Sequence, residues 1–248
     1  MTTEATRLAA SGVSKRFGGL RALHEVSFSI QPGEVLAVIG PNGAGKSTLI
    51  NCLSSAVARD AGAVRIDGAE LPREYADRLV ELGITRTFQQ IRLFPSLTVL
   101  EHLLLARRGF ERTARAAGCA PAREVCLDLL SRTGLSDRRH RLPMELAYGE
   151  RRRLEIARGL ATDPLVFLVD ELAAGSTGAE QVGLATLIRH IAGTGAAVLL
   201  VEHHMDLISR VADRVLVLNF GETVTSGHYD AVRRDPQVVA AYLGTQGV

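Results

Sequence analysis

The stretch GPNGAGKST (residues 40–48) sets glycines at 40, 43 and 45 ahead of a lysine and two hydroxyl side chains. Its spacing is G-x-x-x-x-G-K-[ST]. It sits between a continuously apolar run, EVLAVIG (34–40), and a helical pattern, KSTLINCLSSA (46–56). Glycines let the backbone curl until successive N–H groups face one centre, and the start of a helix adds its positive dipole end. That is phosphate-binding chemistry. Gly40, Asn42, Gly43, Gly45, Lys46, Ser47 and Thr48 are therefore candidate contacts for a nucleoside triphosphate. Lys46 is expected on the β- and γ-phosphates, and the Ser47 hydroxyl on Mg²⁺. The alternative is a glycine-rich turn with a chance lysine, and the flanking strand and helix weigh against it.

A second group of reactive side chains closes FLVDE (167–171), where an apolar run ends on Asp170 and Glu171. A strand parallel to the one before the phosphate loop ends on the same sheet edge, where ligands of open α/β folds bind. Asp170 is expected to hold a Mg²⁺-bound water, and Glu171 to polarise the water that attacks the γ-phosphate. Mg²⁺ and Lys46 would offset the repulsion between the two carboxylates. A helix N-cap pair following a strand is the plainer alternative.

These residues need a scaffold of buried strands and covering helices. EVLAVIG, LVFLVD (165–170) and AAVLLVE (196–202) read as strands covered on both faces, with an amphipathic helix over 180–191. VSFSI (26–30), AVRIDG (63–68) and the hairpin RVLVLNFGETVTSG (214–227) add further strands. From 89 to 161 helical patterns dominate: SLTVLEHLLLARR, AREVCLDLLSRTG and GERRRLEIARGLA. The pattern predicts an α/β core, about 1–88 and 162–248, interrupted by a helical subdomain, about 89–161, all in one domain. The chain has 248 residues, 46% hydrophobic and 23% charged, the composition of a folded globular protein. A net charge of +2 is too weak a bias to indicate nucleic acid. Three cysteines without a C-x-x-C spacing read as reduced thiols. The polar start, MTTEATRLAASG, lacks a signal-peptide core, and no apolar run approaches the roughly 20 residues that span a bilayer. Any membrane role is expected to pass through a partner.

LAYGERRRLEIARGLATDPLVFLVDE (146–171) resembles the signature motif of the ATP-binding cassette (ABC) family, usually L-S-G-G-Q, with its basic helix and Walker B strand. The resemblance runs over essentially the whole chain. It implies a P-loop NTPase (RecA-like) fold with a mainly parallel sheet, antiparallel N-terminal strands and the inserted helical subdomain. Phe17, in KRFGGL, resembles the aromatic that stacks on adenine. Gln89, in TRTFQQIRLF, resembles the Q-loop glutamine that touches Mg²⁺, and His203, in LLVEHHMDL, the switch histidine near the γ-phosphate. Glu171, His203 and Lys46 are thus the expected catalytic set, and Ser47, Gln89 and Asp170 the metal set. Two cassettes would close head to tail, so that Ala147, Tyr148 and Gly149 complete the ATP site of the other subunit. RFGGLRAL, LAYGERRRLEIARGL and the ending AAYLG are similar to ATPase subunits of importers for branched-chain amino acids, amides and urea. That implies ATP and Mg²⁺ as ligands, and a place on the cytoplasmic face of the bacterial inner membrane. The partners implied are a second cassette, identical or paralogous, transmembrane permease subunits and, indirectly, a solute-binding protein.

Some positions depart from the family pattern. Ala147 replaces the signature serine. Leu172 stands where proline is usual, and Ser176, Thr177 and Gly178 replace Leu-Asn-Pro in the D-loop. The expectation is a loosened loop and a weaker dimer, which leaves room for a weakly hydrolysing, regulatory half of a heterodimer. Residues from Gln89 to about Leu105 are the expected permease groove, or else, for Leu100, Leu103 and Leu104, an ordinary core helix. Arginines 107, 108, 112 and 115 are expected to form a solvated face, with lipid headgroups as the other option. Glu202, His203 and His204 could be called a metal cluster, but adjacent residues at a strand end point apart.

Overall fold

The computed structural model describes residues 6–173 and 177–238. Two sheets form the frame. The first is antiparallel, in the order β2 (Leu20–Ile30), β1 (Leu8–Phe17), β4 (Ala61–Ile66), β5 (Ala69–Glu70). The second has the order β10 (Glu222–Gly227), β9 (Arg214–Asn219), β3 (Val35–Ile39), β8 (Ala197–Val201), β7 (Val166–Asp170), β6 (Ile84–Arg86). Five of its strands are parallel, and β10 joins the edge antiparallel through the turn after Asn219.

β3, β7 and β8 are buried at every position. Their alternating side chains feed different cores, as strand geometry requires. Leu36, Val38, Leu168 and Leu199 face the first sheet, and helix α1 (Lys46–Leu53) packs between the sheets through Leu49 and Leu53. On the other face, Phe167, Val169, Val198 and Leu200 share one core with helices α2 (Val99–Glu111), α3 (Ala122–Arg132), α4 (Tyr148–Leu160) and α5 (Gly178–Gly193). Ala37, Ile39, Val215 and Val217 meet α6 (Met205–Val211) and α7 (Tyr229–Val232). The helices between 99 and 160 thus have no separate core and pack onto the sheet.

Several expectations change here. The helix after the phosphate loop stops at Leu53 rather than 56. Ser54 Oγ bonds back to Ile50 O at 2.8 Å, and Ser55 turns left-handed so that its hydroxyl accepts the Tyr75 N–H at 2.8 Å. Leu100 and Leu103 belong to the core and Leu104 packs against it, so they are not groove residues. The arginine face divides. Arg107 is buried, its guanidinium 4.5 Å from the Phe110 ring, and Arg115 bonds to the Val80 and Asp163 carbonyls. Arg108 and Arg112 remain exposed. Buried aromatic and carbonyl groups offer Arg107 and Arg115 partners that charge patterning does not reveal.

Leu172 is fully buried in the same core as Phe167, so the residue in place of proline is an anchor. Thr177 and Gly178 start α5 and do not loosen it. Glu180 N donates to Thr177 Oγ1 at 3.4 Å, and the Glu180 carboxylate accepts the Thr177 N–H at 2.8 Å. This capping box fixes the helix entry. Ser176 and the AAYLG segment (240–244) lie outside the described residues.

Gly159 lets α4 pack closely on the sheet. A Cβ there would lie 2.7 Å from both Phe167 Cζ and Thr85 Cγ2. In a helix interior Gly→Ala normally gains about 1 kcal/mol, whereas overpacking a filled core costs about 1–3 kcal/mol. Gly159→Ala is therefore expected to lower unfolding stability in urea; a rise of the midpoint at constant slope would contradict this packing.

Candidate functional site

The carboxyl ends of the parallel strands bring the sequence motifs to one edge. Gly40 follows β3, Glu171 follows β7, Glu202 and His203 follow β8, and Gln89 lies three residues beyond β6. The phosphate loop takes left-handed backbone at Gly43 (φ 82°) and Gly45 (φ 103°). At Gly45 a Cβ would also come 2.7 Å from Ala22 O, so glycine is required twice over. Lys46 is buried, and its Nζ donates to Gly40 O at 2.7 Å and Pro41 O at 2.9 Å. Burial lowers the pKa of this ammonium, and the Glu171 charge acts against that shift.

A cleft of about 490 Å³ is lined by Phe17, Asn42, Gly43, Gly45, Lys46, Ser47, Thr48, Glu171 and His203. Sequence reasoning missed two of its apolar walls. Leu20 and Phe220 are 68% and 82% exposed and line the cleft beside Phe17. Phe220 sits in a left-handed turn (φ 46°) whose next residue, Gly221, donates to Ala44 O at 3.0 Å, with Gly221 O accepting from His24 N at 2.8 Å. An exposed aromatic in a hairpin turn carries no motif, so only the fold reveals it. Ser47 also lines a neighbouring cleft with Gln89 and Asp170.

The two carboxylates sit on either side of the end of β7 and meet different partners. Asp170 is the last strand residue, while Glu171 turns left-handed (φ 47°), a conformation that costs a non-glycine residue of order 1 kcal/mol. Glu171 is gripped on both oxygens: Gln89 Nε2 donates to Oε2 at 2.8 Å, and His203 Nε2 lies 2.9 Å from Oε1. Asp170 faces the other way. Arg86 Nη2 donates to its Oδ2 at 2.9 Å, while Arg86 Nη1 reaches Asn51 Oδ1 and Ser54 Oγ at 2.7 and 2.8 Å. Burial raises the pKa of Asp170 and the Arg86 charge opposes that shift. Arg86 was not legible as a site residue, because its role depends on β6 pairing with β7, where Arg86 is opposite Leu168.

Beside His203, Glu202 is 1% exposed and accepts the N–H groups of Ala173 and His203, each at 2.8 Å. His204 Nδ1 approaches Glu202 at 3.0 Å, so the adjacent histidines serve different carboxylates. Ala147, Tyr148 and Gly149 do not reach the phosphate cleft. They line a separate one with Leu172 and Leu184, at the start of α4. There Glu150 accepts the Ala147 N–H at 2.9 Å and pairs with Arg138 at 2.9 Å, holding its carboxyl below the usual range.

Known proteins identify the family of this chain. Residues 23–174 match the ABC transporter family model, and residues 222–248 match the branched-chain amino acid ATP-binding cassette transporter model. The high-affinity branched-chain amino acid transport ATP-binding protein LivG of Salmonella typhimurium is 37% identical over 96% of this chain and 97% of its own. The ADP conformation of the cassette MJ1267 superposes with a TM-score of 0.85 at 30% identity, covering 96% of this chain and 99% of that one. The dimeric cassette MJ0796 gives 0.77 at 26% identity, over 90% and 98%. The chain belongs to the ABC transporter family, as an ATP-binding and ATP-hydrolysing subunit.

Arg86→Met leaves Asp170 buried without its cation, and is expected to cost about 3 kcal/mol of unfolding free energy at neutral pH. In that variant the folded-state pKa of Asp170 lies above its unfolded value. The folded state then binds more protons, and the deficit shrinks as pH falls through that raised pKa. Urea unfolding of wild type and variant across the acid range checks this; a deficit that grows on acidification would contradict it.

Proposed function

We propose that the chain powers an importer of branched-chain amino acids or related amides, as a peripheral ATPase on the cytoplasmic face of the bacterial inner membrane. The observation that carries the catalytic reading is Glu171 held between Gln89 and His203 at the rim of the phosphate loop. The match of residues 222–248 and the likeness to LivG support the solute class. They also favour an active hydrolase over a weakly hydrolysing regulatory half. Among the described residues no helix is long and apolar enough to cross a membrane, which fits attachment through permease subunits.

The chemistry follows from the side chains. Phe17 offers a face to the base, the loop amides surround the phosphates, and Lys46 exchanges its loop carbonyls for β- and γ-phosphate oxygens. Ser47, Gln89 and Asp170 present hydroxyl, amide and carboxylate oxygens around one cleft, a hard-donor set that fits Mg²⁺. When bound there, Mg²⁺ would neutralise charge on the phosphates. Glu171 accepts a proton from the attacking water, and Gln89 and His203 fix where its oxygens point. Because Ala147, Tyr148 and Gly149 lie outside the phosphate cleft, a second cassette would bring its own copies of them to complete the site. The helical subdomain, about 89–161, would carry the permease contact. A groove of about 510 Å³ between Gln90, Ile91, Pro95 and Met144 is the proposed seat.

Glu171→Gln removes the proton acceptor while keeping its shape. ATP binding is expected to stay within a few-fold of wild type while kcat falls by at least about 100-fold. Phosphate release at the wild-type rate would remove Glu171 from the mechanism. Isolation from detergent extracts tests the partners: permease chains are expected to co-purify, and uptake of leucine, isoleucine and valine should stop when the gene is deleted. Normal uptake in the deletion strain would overturn the solute assignment.

A further inference from the structure

Helix α4 carries two buried charges that ATP hydrolysis does not use. Arg152 is 2% exposed and Glu155 1% exposed. Arg152 Nη1 donates to Phe88 O at 2.9 Å and to Glu155 Oε2 at 3.2 Å. Its Nη2 donates to Gln89 O at 2.6 Å and to the Tyr148 hydroxyl at 2.9 Å. Glu155 Oε1 accepts the Phe88 N–H at 3.2 Å. One turn on, Arg158 Nη1 donates to Arg92 O at 2.6 Å. The irregular backbone between β6 and α2 is thus held to α4 through the carbonyls of Phe88, Gln89 and Arg92 and the N–H of Phe88.

Stability alone does not call for charges here. Desolvating an ion pair offsets most of its attraction, and a well-packed apolar pair of similar volume is often as stable. What the apolar pair lacks is a planar fork able to hold several acceptors in one geometry. The segment that the fork holds carries Gln89, whose amide grips Glu171. Arg152 and Tyr148 also form the wall common to two clefts, one shared with Ala147 and Gly149 and the other with Gln90, Ile91 and Met144.

We infer that Arg152, oriented by Glu155, is a positioning residue for Gln89: it fixes the backbone from which Gln89 reaches Glu171 and makes that backbone move as one body with the start of α4. The inference rests on the reading of Glu171 as the proton acceptor and of Gln89 as its orienting donor. Displacement at either cleft then reaches the catalytic carboxylate through one guanidinium. The phosphate loop, which makes most of the expected ATP contacts, is left in place, so ATP affinity changes little.

The test is a double-mutant cycle on the full chain. The first arm is the paired substitution Arg152→Met with Glu155→Leu, which leaves no buried charge unpaired. The second is Gln89→Ala, and the third combines them. The paired variant is expected to lower kcat about 10-fold with KM for magnesium–ATP within about two-fold, since misplacing a contact lowers the rate without removing ATP-binding groups. In the Gln89→Ala background the same pair should change kcat less than about two-fold. An equal loss in both backgrounds, or wild-type kcat in the paired variant, overturns the proposal. Wild-type kcat for Gln89→Ala alone shows that the underlying reading of Gln89 has failed, and the proposal falls with it. If the paired variant does not fold, Arg152→Lys carries the cycle. It keeps a charge for Glu155, but a single ammonium does not reproduce the fork, so kcat should fall while the melting temperature holds. Full activity of Arg152→Lys in that case rejects the role.

Discussion

Parallel pairing of the central strands is the constraint from which the site follows. β3, β8 and β7 are hydrogen-bonded in register along their lengths, so whatever follows each strand emerges at the same edge. Burial at every position of these three strands leaves their ends to present polar groups. A glycine-rich loop, two carboxylates and a histidine far apart in sequence therefore meet at one edge, where His203 Nε2 lies 2.9 Å from Glu171 Oε1. At that edge Lys46, Asp170 and Glu202 are buried beside backbone amides. Interactions are strong there, and unpaired charges are costly.

The cost of those charges explains how the carboxylates are arranged. Asp170 ends β7 and Glu171 turns left-handed just after it, so the two like charges sit in different surroundings. Each then meets a different set of partners: Arg86 for Asp170, Gln89 and His203 for Glu171. Glu202, buried beside His203, is satisfied by backbone N–H groups. Each of these three carboxylates is held by a donor from a different strand end or loop. The geometry of the site is therefore a property of the whole sheet edge.

Much of this was legible in the sequence because the signals are local. The phosphate loop declares itself by fixed glycine spacing between a strand and a helix, and buried strands declare themselves by unbroken apolar runs. What stayed hidden depends on contacts between distant segments. β6 is three residues long, too short for any periodicity, yet it places Arg86 against Asp170. Arg107 reads as part of a charged face until the Phe110 ring beneath it is seen. Thr177 and Gly178 read as a slack replacement for a proline-containing loop, whereas Glu180 three residues on turns the same threonine into a cap. Phe220 belongs to no motif at all.

Phe220 has one more consequence. Phe17 and Leu20 stand on the turn between β1 and β2, in the antiparallel sheet, while Phe220 stands on the hairpin that closes the parallel one. A flat ring lodged among them would rest on both layers at once and act as a strut between them. A base bound at this proposed pocket would then stiffen the seam between the two halves of the frame, a mechanical effect reaching well beyond the phosphates.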